Sequence, residues 1–73
     1  MTNNGTEERI IREARRLFME RGYDKTSMSD IAQAAGINRP ALHYYFRTKE
    51  KMFSAVFADI VAAVVPKIEY ILT

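Results

Sequence analysis

The feature that most constrains the fold is a close succession of helix-start and helix-stop signals near the middle of the 73-residue chain. Ser27 and Asp30 have the spacing of a capping box, in which a hydroxyl and a carboxylate accept hydrogen bonds from free amides at a helix start. Gly36 is suited to end that helix, because glycine adopts the left-handed backbone conformation without strain. A second helix follows, with Asn38 or Arg39 as its cap and a proline in its first turn. The pattern predicts two short helices joined by a tight turn.

Small and apolar residues stand where two helices that cross at a steep angle need them. Ala32 leaves room for the second helix to approach the first, and Gly36 supplies the turn. Ile31, Ile37 and Leu42 are placed to hold both helices against an apolar core. Each of these features is common by itself, but the combination is typical of a helix-turn-helix.

A longer helix is predicted before this pair. Its apolar positions recur at helical spacing and therefore predict one buried face; they are Ile10, Ala14, Leu17 and Phe18. We expect the helix to span residues 6–21, with Thr6 as its N-cap and Gly22 as the residue that ends it. Tyr23 then follows as a packing residue over the helix end. Residues 1–5 are expected to be a disordered tip.

A fourth helix is predicted to begin at the cap Thr48. Pro66 is expected to stop or kink this helix near Val65, and a fresh helix starting at the proline is an alternative. The chain is therefore predicted to be all-α, with a three-helix helix-turn-helix domain over residues 6–47 and a long fourth helix within residues 48–73.

Composition excludes several classes of function. The chain has no cysteine and one histidine, so it offers no thiolate metal site and no nucleophile–base pair, and we predict neither an enzyme nor a bound cofactor or metal. Charges between Glu7 and Arg16 leave no place for a secretory h-region. Asp59, Lys67 and Glu69 interrupt the apolar C-terminal stretch, so no membrane span is predicted. We expect a cytoplasmic protein.

Positive charge is concentrated although the net charge is only +2. Arg39, Arg47, Lys49 and Lys51 lie within thirteen residues and are opposed only by Glu50. A concentrated positive surface indicates an anionic partner.

The third predicted helix has two chemically different faces. Leu42 and Phe46 are four residues apart and face the core, with Tyr45 at the edge of that face. The outward residues are Arg39, Pro40, Ala41, His43, Tyr44 and Arg47. Arginine pairs with guanine, and alanine or proline contacts a thymine methyl group. Tyrosine hydroxyls, together with Thr48 and Lys49 at the start of helix four, suit phosphates. The outward face is therefore predicted to enter a DNA major groove.

The segment TSMSDIAQAAGINRPALHYYFRTKEKMF, residues 26–53, resembles the DNA-binding signature of TetR-family transcriptional regulators, and the resemblance covers about residues 8–57. By position it implies base contacts from Arg39, Pro40, Ala41 and His43, and phosphate contacts from Thr26, Ser27, Tyr44, Tyr45 and Lys49. His43 stands where the family more often has tyrosine, so both a base contact and a phosphate contact are open for it.

The resemblance also implies a second, all-helical domain that binds a small-molecule effector and forms the homodimer. On this interpretation the chain belongs to a ligand-released repressor that binds a palindromic DNA operator at the nucleoid, and residues 48–73 lead into the second domain. The C-terminal apolar residues exceed what three short helices can cover, which also indicates a missing partner. The alternative is a helical protein-interaction module that docks through this apolar tail.

Overall fold

The structure is a computed structural model that describes residues 4–72. It contains four helices in chain order, α1 (Asn4–Arg21), α2 (Met28–Ala35), α3 (Arg39–Tyr45) and α4 (Lys49–Leu72). The described residues contain no strand. This confirms the predicted all-α class, with a three-helix helix-turn-helix followed by a long fourth helix.

One apolar core joins the first three helices to the N-terminal half of α4. Leu42 at the centre of α3 is fully buried, as are Ile10 of α1, Ile31 of α2 and Met52 of α4. The remaining core side chains are Ala14, Leu17, Phe18, Ala32, Ala35, Phe46 and Val56. The residues predicted to hold the two short helices are therefore in or against the core, and Ile37 packs on it partly buried.

The predicted signals at both ends of α2 are confirmed. The amide of Asp30 donates to Ser27 Oγ over 3.0 Å, and the amide of Ser27 donates to Asp30 Oδ2 over 3.0 Å. The backbone and side-chain hydrogen bonds with Ser27 hold the pKa of the Asp30 carboxyl below its ordinary value. Gly36 ends α2 with φ 75°, and Gly22 follows α1 with φ 89°. Both glycines occupy the left-handed conformation that their predicted roles require.

The starts of α3 and α1 compare differently with the sequence prediction. Asn38, not Arg39, caps α3, and its Oδ1 accepts a hydrogen bond from the amide of Ala41 over 2.8 Å. Helix α1 begins at Asn4, so the prediction of Thr6 as its cap is wrong. The helix includes residues 4 and 5 of the predicted disordered tip, because a favourable cap residue biases a helix start without deciding it. Residues 1–3 lie outside the described residues.

Pro66 does not end α4, and it does not begin a separate helix. The helix continues without interruption to Leu72. A proline inside a helix removes the hydrogen bond to the carbonyl four residues earlier, here that of Ala62. Residues 61–72 are all exposed, so water can hydrate that carbonyl and lower the cost of the missing bond.

The C-terminal half of α4 extends beyond the core. Its exposed apolar side chains are Val61, Val64, Val65, Ile68, Ile71 and Leu72. Even so, the helices of residues 4–72 include none with the combined length and apolarity that crossing a bilayer requires.

Candidate nucleic-acid interface

Helix α3 presents three of its four predicted base-reading residues on the face opposite the core. Leu42 has no exposed surface, whereas the neighbouring Tyr44 is 78% exposed. Arg39, Pro40 and His43 are also exposed. Because an α-helix repeats every 3.6 residues, these residues and Tyr44 share one side of the helix. Because these side chains are exposed, they can contact base edges in a DNA groove, which direct recognition of a base sequence requires.

The two other aromatic or small residues of α3 lie at the border of this face. Ala41 and Tyr45 are half-buried. The ring of Tyr45 packs partly on the core and meets the ring of Tyr44 edge to face, with 5.2 Å between centroids. Phe46 lies just beyond the helix and is 8% exposed. The consecutive aromatic residues of this segment therefore have two roles: Phe46 packs in the core, and Tyr44 exposes its phenol to solvent.

Arg39 forms a side-chain hydrogen bond to the preceding helix, which the sequence did not predict. Its Nη1 donates to Ser29 Oγ over 2.8 Å. Both side chains are exposed, and the bond joins the first residue of α3 to the first turn of α2. This contact holds the guanidinium over the exposed side of the two short helices.

The start of α4 lies beside this surface. Thr48 caps the helix as predicted, because its Oγ1 accepts from the amide of Lys51 over 3.1 Å. Thr48 and the preceding Arg47 are both exposed. Amides at a helix start attract anions, so this corner combines an exposed guanidinium with a helix N-terminus.

The side chain of Thr26 is buried, which does not fit the phosphate contact that the resemblance implies for it. The residue is 1% exposed. Its hydroxyl lies 2.9 Å from the carbonyl oxygen of Gly22 and 3.2 Å from that of Leu17, to which it donates. The hydroxyl therefore closes the turn after α1. Ser27 is exposed, and its Oγ accepts the capping bond of α2.

Lys49 is bonded within the protein. Its Nζ donates to the carbonyl oxygen of Tyr23 over 2.8 Å and to that of Thr26 over 3.1 Å. The same nitrogen lies 4.2 Å from the centroid of the Tyr23 ring. Two of the three ammonium hydrogens are thus used by the turn between α1 and α2.

A second long-range contact fixes α1 against the short helices. Arg9 Nε donates to the carbonyl oxygen of Ala35 over 2.9 Å, at the end of α2. Arg21 at the end of α1 forms an ion pair of 3.3 Å with Asp30. Partners separated by 26 residues, as Arg9 and Ala35 are, leave no periodic signal in the sequence.

These elements define a helix-turn-helix DNA-binding protein. The family model described as "Bacterial regulatory proteins, tetR family" matches residues 10–56, which is more than half of the chain. The chain belongs to the TetR family of bacterial transcriptional regulators. Proteins of this family bind DNA to regulate transcription and are not enzymes.

Similar proteins agree with this assignment. The chain is 38% identical over 52 residues to the HTH-type transcriptional regulator AcrR of Shigella flexneri, covering 71% of this chain and 24% of that protein. It is 37% identical over 55 residues to TtgR of Pseudomonas putida, with 75% and 26% covered. It is 39% identical over 46 residues to the negative transcriptional regulator IcaR of the biofilm operon icaADBC in Staphylococcus aureus, with 63% and 25% covered. The chain thus spans about a quarter of the length of these curated relatives. No solved structure matched it.

Proposed function

We propose that this chain is the DNA-binding part of a repressor that binds a palindromic operator as a dimer and is released by a small-molecule ligand. The observation that carries the proposal is the division of α3, with Leu42 buried and Tyr44 and His43 exposed on the opposite side. The relative IcaR is a negative transcriptional regulator, which supports repression as the direction of control.

We propose a partner for each of the following residues of this surface. Arg39 pairs with a guanine, and Pro40 and Ala41 contact thymine methyl groups. His43 contacts a base or a phosphate. The proposed phosphate contacts come from Ser27, Tyr44, Tyr45 and Thr48. Thr26 is left out because it is buried, and Lys49 because its ammonium group is bonded to backbone carbonyls.

A dimer is proposed because one short recognition helix reads too few base pairs for useful specificity. Two copies related by a two-fold axis would read half-sites about 34–36 Å apart, or a multiple of that distance. We place the dimer contacts and the effector site in a further domain that follows residues 48–73. The exposed apolar residues of α4 support contact with additional protein. We also propose a cytoplasmic location at the nucleoid, where the operator is.

A selection experiment tests DNA recognition directly. The full-length regulator proposed to contain this chain is used to enrich duplexes from a random-sequence library, and the affinity of the enriched duplex is measured as salt is varied. We expect a short enriched motif and an affinity that falls with salt because counterions are released from the phosphates. Absence of both enrichment and salt dependence would reject the proposal.

The second candidate function is a protein-interaction module that docks through the C-terminal half of α4. The observation that favours it is the exposed apolar surface of that half. Such a module has no need for the exposed Arg39 and Tyr44, so it leaves α3 unexplained. Failure of the selection experiment would favour this alternative.

A further inference from the structure

The ammonium group of Lys49 occupies a small cage formed by the turn between α1 and α2. The centroid of the Tyr23 ring lies 4.2 Å from Nζ. Nζ also donates hydrogen bonds to the backbone carbonyl oxygens of Tyr23, at 2.8 Å, and Thr26, at 3.1 Å. Lys49 is the first residue of α4, and these partners precede it by 26 and 23 residues. One side chain therefore connects the start of α4 to the turn that leads into the helix-turn-helix.

The turn that receives Lys49 is itself tightly held. The Tyr23 ring packs against Phe18 of α1 at 5.5 Å and against Phe53 of α4 at 5.4 Å between centroids. The amide of Thr26 donates to the carbonyl oxygen of Tyr23 over 3.3 Å, so this oxygen accepts two hydrogen bonds. Displacing Lys49 would therefore leave two partly buried carbonyl oxygens without a charged donor, at the point where three helices meet.

We propose that Lys49 is a positioning residue, which holds the start of α4 in place for DNA binding and does not itself neutralise a phosphate. This inference rests on the proposed DNA-binding function. The groups that Lys49 positions are the exposed Thr48 hydroxyl and the first amides of α4, which are neutral donors. Two of the three N–H groups of Lys49 are directed at backbone carbonyl oxygens of the protein, so one at most remains for a phosphate.

The dependence of affinity on salt separates the two roles. Each phosphate neutralised by a lysine or arginine adds about 0.9 to the slope of log affinity against log salt, and a neutral donor adds little. The test variant is Lys49→Met, which keeps the aliphatic stem and removes the ammonium group. The matched control is Arg47→Met, because Arg47 is exposed next to the same helix start. Binding of the 73-residue chain to a labelled random-sequence duplex is followed by fluorescence anisotropy across a salt series.

We expect Lys49→Met to lower the affinity about three- to tenfold at every salt concentration and to leave the slope unchanged. Arg47→Met is expected to lower the slope by about one. Circular dichroism at the binding temperature must show that each variant retains its helices. If Lys49→Met does not fold, the same series is run with Lys49→Gln, which has no charge but keeps a neutral donor.

Two results would overturn the inference alone. A slope lowered by about one in the Lys49 variant would show that this lysine neutralises a phosphate. An unchanged affinity with a lower melting temperature would show that the cage serves stability only. Failure of the wild-type chain to bind duplex in a salt-dependent way is a distinct result, because it rejects the proposed function itself.

Discussion

Replacing residues on the two faces of α3 should separate folding from DNA binding. Leu42 is fully buried, so Leu42→Ala removes a core side chain and is expected to cost about 2–5 kcal/mol of unfolding free energy. A domain of this size has roughly 4–11 kcal/mol in total, and in a small domain each kcal/mol shifts the melting temperature by about 4–8 °C. The melting temperature should therefore fall by at least about 8 °C. Tyr44, at 78% exposed, is the matched control in the same helix, and Tyr44→Ala should change the unfolding free energy by less than about 0.5 kcal/mol.

The effects on DNA affinity should be reversed, so that among folded variants Tyr44→Ala binds DNA more weakly than Leu42→Ala. Tyr44→Ala removes a proposed phosphate contact and should weaken binding roughly two- to tenfold, since a hydrogen bond contributes about 0.5–1.5 kcal/mol. Leu42→Ala should bind normally at a temperature where circular dichroism shows native helix content. Thermal and urea unfolding give the stabilities, and fluorescence anisotropy gives the affinities. The reasoning is refuted if Tyr44→Ala is as destabilising as Leu42→Ala, or if it binds DNA as tightly as the wild type.

We make three further predictions, each for a single substitution. Arg39→Ala should weaken preference at one base position by about 1–3 kcal/mol in a competition assay, whereas equal loss on all sequences would show that Arg39 reads no base. The Asp30 carboxyl has its pKa lowered by Ser27, so its stabilising contribution is present above its unfolded pKa of about 4 and is lost as pH falls below that value. The melting temperature should consequently decrease less between pH 5 and pH 3 in Asp30→Asn than in the wild type, and identical decreases would contradict this. Arg9→Met should cost about 1 kcal/mol in urea unfolding by leaving the Ala35 carbonyl without its donor, and the exposed Arg12→Met is the control.

The local features of this fold were predictable because each depends on a few consecutive residues. A capping box requires only the side chains of Ser27 and Asp30 and the amides next to them. The left-handed turn at Gly36 requires only a residue without a Cβ. The faces of α3 follow from the helical repeat. The start of α1 at Asn4 was mispredicted, and α4 neither stops nor restarts at Pro66, because a cap or a proline biases a helix boundary without deciding it.

The contacts that position the candidate interface could not be predicted in the same way. Phosphate contacts are predicted for Lys49, because it lies at a helix start, and for Thr26, because the resemblance to the family implies one. The structure instead places Lys49 against backbone carbonyls and buries Thr26. Carbonyl acceptors are present at every residue, so the sequence does not mark which of them a lysine will reach. The bond from Arg39 to Ser29 depends in the same way on the crossing of two helices.

The two proposed functions concern different surfaces of the molecule and therefore need not compete. The exposed face of α3 carries a guanidinium, an imidazole and a phenol, which can hydrogen-bond to bases and phosphates but do not form an apolar docking surface. The C-terminal half of α4 has apolar side chains at positions 61, 64, 68 and 71, spaced as one helical stripe, which can pack on protein but cannot bind a phosphate. The family match covers residues 10–56 and so includes the first surface but none of this stripe. It follows that membership of the family supports DNA binding through α3, while the proposal of a protein contact rests on the exposed stripe of α4 alone.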